Sequence, residues 1–268
     1  MSVDSPPMAG PKLAEGKTKI IYAHETDPAL AWMVHKDWIT AGDGARRNEL
    51  PGKSQLSGRT TANVFRRLRA DGIPSHFVDS PADEVMLVRR CQMIPIEVVF
   101  RRLATGSYLK RNPVEEGTRF DPPLVEFFFK DDANHDPLVD EDWIWAEQIA
   151  SSAETAEMKR VGREVFLALE RAWAALDVQL VDLKIEFGRD TTGALLLADV
   201  IDNDSWRLWP GGRKEEMLDK QLYRDLREVT DDALARVIAR YQQVAELTSA
   251  FGAETGERRQ ETGVRSQG

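Results

Sequence analysis

Residues 180–188, LVDLKIEFG, constrain the fold of this chain more than any other segment. Apolar residues alternate with Asp182, Lys184 and Glu186, which is the period-two pattern of a β-strand with one buried face. Side chains two residues apart stand roughly 7 Å from each other on one face, so this strand carries two carboxylates and an ammonium in a row. The row suits an anionic ligand and a divalent metal, although the solvated outer face of a sheet produces the same alternation.

The residues that follow predict an antiparallel partner for this strand. Residues 191–194 (TTGA) indicate a four-residue loop, and residues 195–201 (LLLADVI) indicate a returning strand. In that register Glu186 faces Asp199. Two carboxylates opposite each other repel unless a cation lies between them, and Mg²⁺ is commonly held by one or two carboxylates together with phosphate oxygens. The register thus leads to the hypothesis of a magnesium site at this pair.

The composition bounds the class of protein. The chain has 268 residues, 42% hydrophobic and 30% charged, which is typical of a soluble globular protein. No apolar run approaches the roughly 18 residues that cross a bilayer, and the N-terminus has no signal-peptide pattern, so we expect a cytoplasmic protein without a membrane partner. A single cysteine excludes internal disulfides, and four histidines without zinc-like spacing leave oxygen atoms as metal ligands. The net charge of −9 argues against a nucleic-acid partner and leaves a homo-oligomer open.

Hydrophobic periodicity predicts an α+β chain with two lobes around a cleft. We expect two lobes: a strand-rich N-terminal lobe at 12–105, which contains a phosphate-contacting turn, and an α+β C-terminal lobe at 106–251, which contains the metal and substrate site. A disordered lead-in is expected at 1–11 and a flexible tail at 252–268. Amphipathic helices are predicted at 54–70, 154–176 and 231–251. The last two lie in the second lobe, on either side of the charged strand.

Residues 14–19, AEGKTK, contain a candidate phosphate-binding turn. They resemble the end of a P-loop, but Gly10 lies too far upstream and a strand follows where a P-loop opens a helix. The better interpretation is a turn at Gly16 over nucleotide phosphates, with Lys17 and Lys19 supplying charge from one face of a strand. Lysines at this spacing are also common on exposed strands.

A second candidate anion site lies at residues 94–107, where an apolar strand breaks into a Thr-Gly-Ser turn. Such a turn can direct backbone N–H groups and the Ser107 hydroxyl at a phosphate that Arg101 also contacts. An ordinary exit from a strand has the same pattern. Other cations are predicted to reach the same anion: Arg207, Lys220 and Arg224. No nucleophilic triad is present, so the residues favour metal-assisted phosphoryl transfer.

Several motifs follow one another in order over residues 12–250: EGKTKIIY (15–22), TAGDGARRNELPGKS (40–54), IPIEVVFRRLATGS (94–107), FFKDDANHDP (128–137), LVDLKIEFG (180–188) and DVIDNDSWRLWP (199–210). Together these segments resemble the SAICAR synthetase family, phosphoribosylaminoimidazole-succinocarboxamide synthase. The last of these, with DKQLYRDL (219–226), resembles the synthetase half of the animal bifunctional enzyme more than the common bacterial form. The common form has Glu-Ile-Ser-Pro at 200–203, which leaves the role of Asp202 open.

The resemblance implies a two-lobed, SAICAR synthetase-like and ATP-grasp-like fold with antiparallel sheets and a nucleotide cleft between the lobes. It implies a reaction in which ATP, carboxyaminoimidazole ribotide (CAIR) and L-aspartate give SAICAR, ADP and phosphate. The resemblance assigns Gly16, Lys17, Lys19 and Lys130 to the ATP phosphates, and it counts Glu186 among the ATP-binding residues as well. Those it assigns to Mg²⁺ are Glu186 and Asp199.

The resemblance also implies a ribotide site in the C-terminal lobe. The residues assigned to the ribotide phosphate are Arg101, Ser107 and Arg207, and those assigned to the imidazole and its carboxylate are Asp182 and Lys184. Arg101, Asp182 and Lys184 form the predicted catalytic group. Further substrate contacts are predicted at Asp204, Lys220 and Arg224. Asp182 and Asp204 are candidate proton acceptors, and the aspartate-binding residues stay open.

Two other classes of function fit parts of the pattern. A small-molecule kinase would use the same charged strand for simple phosphoryl transfer, although the protein-kinase motifs are absent. A non-enzymatic nucleotide-binding or scaffolding module would be expected to have an incomplete charged row. The row is complete in this chain, which favours an enzyme.

Overall fold

The computed structural model describes residues 9–42 and 45–252. The strands are β1 (Ala9–Glu15), β2 (Lys19–His24), β3 (Leu30–His35), β4 (Trp38–Ala41), β5 (Arg46–Glu49), β6 (Phe77–Ala82), β7 (Val85–Arg89), β8 (Cys91–Leu103), β9 (Arg119–Phe129), β10 (Leu138–Val139), β11 (Val178–Asp190), β12 (Leu195–Ala198) and β13 (Trp206–Pro210). The helices are α1 (Lys53–Ala70), α2 (Ser107–Arg111), α3 (Glu141–Ala146), α4 (Ser152–Ala174), α5 (Gln221–Arg224) and α6 (Asp231–Thr248). Single 3₁₀ turns lie at Asp132–Asn134, Lys214–Glu216 and Ser249–Gly252.

Two antiparallel sheets dominate this part of the chain. A five-stranded sheet has the order β1-β2-β3-β7-β6, and a six-stranded sheet has the order β10-β9-β8-β11-β12, with β13 also paired to β11. The small β4–β5 hairpin stands apart from both. This mixture of helices and antiparallel sheets confirms the predicted α+β class.

The chain passes from the first sheet to the second between β7 and β8. The predicted lobe boundary at residue 105 assigns β8 to the N-terminal lobe, but β8 pairs with β9 and β11 of the second sheet. Its apolar residues from Ile96 to Leu103 are buried because it lies between two neighbours and under α4. Pairing with strands far along the chain decides which sheet a strand joins, and local pattern does not report it.

The predicted lead-in at 1–11 is also too long. Ala9–Glu15 is a strand that pairs with β2, so its last three residues belong to the first sheet. Residues 1–8 lie outside the described residues, as does all of the predicted tail except Gly252, which closes the final 3₁₀ turn.

The long helix α4 covers one face of the second sheet. It begins with a capping box in which Ser151 and Glu154 satisfy each other's backbone N–H groups. Its buried residues pack in one core with the apolar residues Leu183, Ile185 and Phe187 of β11. The opposite face of β11, with its charged residues, is therefore left for the space between the two sheets. No helix in the described part of the chain is long and apolar enough to cross a membrane.

Candidate active site

A cleft of about 800 Å³ lies between the two sheets. Apolar residues of β1, β2, β3 and β7 line one part of it, and charged residues line the rest. The charged residues are Lys17, Lys19, Glu97, Lys130, Lys184, Glu186, Asp199 and Asp204, among others. An apolar wall beside clustered charges suits a ligand with a flat apolar ring and a phosphate chain.

The predicted phosphate-binding turn forms the rim of the cleft. The Gly16 N–H donates to the Lys19 carbonyl oxygen at 2.9 Å and closes the turn between β1 and β2. Lys17 and Lys19 do not share a strand face as predicted, because Lys17 lies in the turn and Lys19 begins β2. Both lysines reach acids beyond the first sheet: Lys17 Nζ lies 2.6 Å from Asp132, and Lys19 forms an ion pair with Asp199.

The predicted register of β11 and β12 is wrong by one residue. Glu186 pairs with Ala198, and the strand ends there. Asp199 follows with a φ of 63°, a left-handed conformation that leaves the ladder. Asp199 still lines the cleft, as Glu186 does. The two acids are therefore neighbours in one cleft but not a cross-strand pair.

The residue directly across the ladder from Glu186 is another acid, Glu97 of β8. Lys184 Nζ lies 2.6 Å from Glu97 and 3.6 Å from Glu186, so its ammonium stands between the two carboxylates. Lys130 Nζ lies 2.7 Å from the other carboxylate oxygen of Glu186, Oε2. Sequence reasoning missed Glu97 as a site residue, although a lone acid in the apolar run 94–100 was a signal.

The pKa values follow from this packing of opposite charges. Burial acts to raise the pKa of Glu186, but the charges of Lys184 and Lys130 outweigh it, so the net pKa is lowered. Burial acts to lower the pKa of Lys184, and Glu97 and Glu186 reverse the effect, so it is raised. For Lys19, burial dominates and lowers the pKa to about 8. At neutral pH Glu186 is therefore ionised, with the ammonium groups of Lys130 and Lys184 beside it.

A second cluster lies along the same face of β11. Arg101 donates to Glu126 at 2.5 Å, to Asp182 at 2.9 Å and to the Ser107 hydroxyl at 3.3 Å. Arg207 also donates to Asp182. The Asp182 carboxylate is thus buried between two guanidinium groups. Glu126, which also binds Arg111, is a further site residue that the sequence did not indicate.

The structure does not bring Lys220 and Arg224 to this cluster, contrary to the prediction. Lys220 Nζ lies 2.8 Å from Asp204. Arg224 contacts Gln221 within its own short helix. The carboxylate of Asp204, supplied by the loop between β12 and β13, holds Lys220 away from Arg101 and Arg207.

Asp202, whose role the sequence left open, is buried behind the cleft wall. It accepts a hydrogen bond from the Asp204 N–H at 2.9 Å, and Asp204 itself lines the cleft. Burial and the nearby charge of Asp204 raise the pKa of Asp202. Its position supports the loop that presents Asp204.

Lysines that converge on carboxylates beside an apolar wall are an arrangement that suits phosphate-bearing ligands. The chain matches the SAICAR synthetase family over residues 12–241. A phosphoribosylaminoimidazole-succinocarboxamide synthase of Roseiflexus sp. (strain RS-1) is 64% identical over 243 residues, 90% of this chain and 98% of that protein. The chain therefore belongs to the SAICAR synthetase family, whose members are ATP-dependent ligases of purine biosynthesis.

Other relatives agree with this assignment. The bifunctional phosphoribosylaminoimidazole carboxylase/succinocarboxamide synthetase of Mus musculus is 46% identical over 245 residues, 88% of this chain and 58% of that protein, which confirms the predicted likeness to the animal enzyme. The crystal structure of the synthase from Ehrlichia chaffeensis superposes with a TM-score of 0.81 at 33% identity, covering 90% of this chain and 99% of that one. A SAICAR synthetase in complex with ADP superposes with a TM-score of 0.76 at 32% identity, covering 85% and 96%.

Proposed function

We propose that this chain joins L-aspartate to the carboxylate of CAIR at the expense of ATP, giving SAICAR, ADP and phosphate. The observation that carries the proposal is the charged face of β11, where Lys184 lies between Glu97 and Glu186 and the ion pair of Arg101 with Asp182 follows. One face of β11 thus presents Glu186, proposed to lie at the nucleotide, next to Lys184 and Asp182, proposed to lie at the ribotide. Its family membership supports the same reaction.

The nucleotide phosphates are proposed to lie against the turn at Gly16, with Lys17, Lys19 and Lys130 as their cations. In the structure each of these lysines contacts an acid: Asp132, Asp199 and Glu186 respectively. A triphosphate would take over the lysines and leave the carboxylates Glu186 and Asp199 for Mg²⁺. The relative that contains ADP supports a nucleotide in this cleft.

The donor set fits a magnesium ion. Glu186 and Asp199 offer hard oxygen ligands, and the described residues contain no group of three or more His, Cys, Asp or Glu side chains that would form an all-protein metal cage. Mg²⁺ typically binds through one or two carboxylates and completes its shell with phosphate oxygens and water. When bound, it would neutralise charge on the phosphoryl oxygens.

The ribotide phosphate is proposed to bind beside Ser107, where Arg101 and Arg207 meet. Both guanidinium groups already contact Asp182, so this carboxylate fixes their orientation and the phosphate would use the remaining N–H donors. Lys184, farther along the strand, is proposed to contact the CAIR carboxylate.

Replacing Gly106 by alanine is expected to raise the KM for CAIR about tenfold. Gly106 has a φ of 57°, and an added Cβ would lie 2.5 Å from Arg207 Nη2, so the guanidinium would have to move. Steady-state kinetics with CAIR as the varied substrate measure the effect. Gly193→Ala is the matched control, because Gly193 has a φ of 85° but nothing within 4 Å of the added atom. An equal change in both variants would contradict the assignment of Arg207 to the ribotide.

The charges suggest how the reaction proceeds. A carboxylate does not form an amide with an amine at neutral pH without activation. The γ-phosphoryl group of ATP is therefore proposed to pass to the CAIR carboxylate, releasing ADP and forming an acyl phosphate. The amine of aspartate, after losing a proton, then attacks the acyl carbon, and inorganic phosphate leaves. The lysines of the cleft stabilise the phosphoryl oxygens throughout.

A coupled assay of ADP release tests the function. Over many turnovers the ligase releases ADP only when CAIR and aspartate are both present, whereas the alternative, a small-molecule kinase, turns over with one acceptor alone. Mass spectrometry of the product identifies SAICAR directly. ADP release over many turnovers that does not depend on aspartate would overturn the proposal. Action in the cytoplasm and assembly as a homo-oligomer stay predictions, which cell fractionation and light scattering can check.

A further inference from the structure

Tyr241 is a polar residue buried on the far side of the cleft wall. It lies on α6 and is 1% exposed, and its hydroxyl donates a hydrogen bond of 2.5 Å to Asp204 Oδ1. Lys220 donates to the other oxygen, Oδ2, at 2.8 Å. Lys53 lies over the Tyr241 ring, 5.2 Å from its centroid. Both oxygens of Asp204 are thus held from behind by groups that do not line the cleft.

This packing keeps Asp204 charged while it faces the cleft. Burial acts to raise the pKa of Asp204, but the charges of Lys220 and Lys53 outweigh it, so the pKa is lowered. Burial and the Asp204 charge raise the pKa of Tyr241, so its hydroxyl keeps its proton and stays a donor. Asp204 therefore presents a fixed negative charge and is a poor proton acceptor, which argues against its predicted candidacy as the general base.

Lys220 is the cationic partner of Asp204 behind the wall, which leaves the cleft-facing side of the carboxylate to accept from a substrate group. ATP and CAIR are both anions, and Mg²⁺ has carboxylates of its own at Glu186 and Asp199. Among the groups that enter the reaction, the ammonium of the amino-acid substrate is the remaining cation. Asp204 lines the same cleft as Lys184, which is proposed to contact the carboxylate that this amine will join.

We propose that Tyr241 is a positioning residue that, with Lys220, orients the Asp204 carboxylate to accept a hydrogen bond from the ammonium group of L-aspartate. The inference rests on the proposed function. It assigns a role to α6, which supplies no side chain to the wall of the cleft among the described residues. The neutral phenol fixes one carboxylate oxygen without cancelling its charge, so the carboxylate stays available to a cation.

Steady-state kinetics of Tyr241→Phe test the proposal, because this change removes the hydroxyl and keeps the ring over Lys53. We expect the KM for aspartate to rise about tenfold while the KM values for CAIR and Mg-ATP stay within about twofold. Succinate has both carboxylates of aspartate but no ammonium. Its inhibition constant is therefore expected to be the same for the wild-type protein and for Tyr241→Phe. Asp204→Asn is the second variant, with a larger rise in the KM for aspartate.

Tyr223→Phe is the matched control. Tyr223 lies in the same small core as Tyr241 and is also buried, but its hydroxyl donates to Asn48 at 2.6 Å. The control is expected to lose similar stability and keep the KM for aspartate. An unchanged KM for aspartate in Tyr241→Phe, or an equal rise for all three substrates, overturns the proposal. Wild-type protein without aspartate-dependent ADP release would instead overturn the proposed function.

Discussion

Glu186→Gln and Asp199→Asn are each expected to reduce magnesium-dependent turnover by about 100- to 1000-fold. Each substitution removes one of the two carboxylate ligands proposed for the ion and keeps the shape of the side chain. The measurement is ADP release across a magnesium titration, together with the affinity for ADP with and without magnesium. In both variants the gain in ADP affinity from magnesium should fall.

The structure changes what is expected of folding in these variants. The sequence suggested that removing one acid would relieve repulsion between the pair. Each acid instead has a lysine partner: Lys130 and Lys184 at Glu186, and Lys19 at Asp199. A modest loss of about 1–2 kcal/mol in the free energy of unfolding is therefore expected, since an ion pair is broken.

Glu141→Gln is the control for this prediction. Glu141 pairs with Lys159 at 2.6 Å, and both side chains lie away from the cleft. The control removes a carboxylate from a lysine partner without touching the proposed metal site, so turnover should be unchanged. Near-normal turnover in Glu186→Gln or Asp199→Asn would contradict the metal assignment.

Lys184→Met is expected to reduce turnover by about 100- to 1000-fold while the affinity for Mg-ATP changes by less than about tenfold. The ammonium lies between Glu97 and Glu186 and is proposed to contact the CAIR carboxylate, so its loss affects the reacting group more than the nucleotide. Single-turnover kinetics and equilibrium titration with a non-hydrolysable ATP analogue separate the two effects.

The control for Lys184→Met is Lys159→Met, which removes a lysine from an acid partner outside the cleft. It should retain both turnover and nucleotide affinity. Equal losses of turnover and Mg-ATP affinity in Lys184→Met would place Lys184 at the nucleotide and contradict its assignment to CAIR. Circular dichroism checks that Lys184→Met is folded. An unfolded variant would show that Glu97 and Glu186 cannot face each other without the Lys184 ammonium.

Local patterns predicted the elements of this fold well. The alternation at 180–188 predicted β11 and its two faces, and the three- and four-residue spacing of apolar residues predicted α4 and α6 close to their observed bounds. These patterns are reliable because side-chain direction repeats with the period of the element itself. The family resemblance rested on the same segments and is confirmed by the match over residues 12–241.

Partners that lie far apart in the chain were harder to predict. The predicted cross-strand pairing of Glu186 with Asp199 was wrong by one residue. Glu186 pairs with Ala198, and Asp199 has a positive φ after the strand ends. Glu97 was missed because the pairing of β8 with β11 joins segments on either side of α4. Lys220 was predicted to reach the same anion as Arg101, but in the structure its partner is Asp204, on the loop between β12 and β13.

The sequence by itself determined that β11 has a charged face, that the chain is α+β and which family it belongs to. Only the tertiary structure decided which charges meet. Lys19 and Asp199 are 180 residues apart, and Arg101 and Asp182 are 81 apart. The physical reason is that period and composition act within a few residues, whereas an ion pair depends on how whole strands register across a sheet and across the cleft.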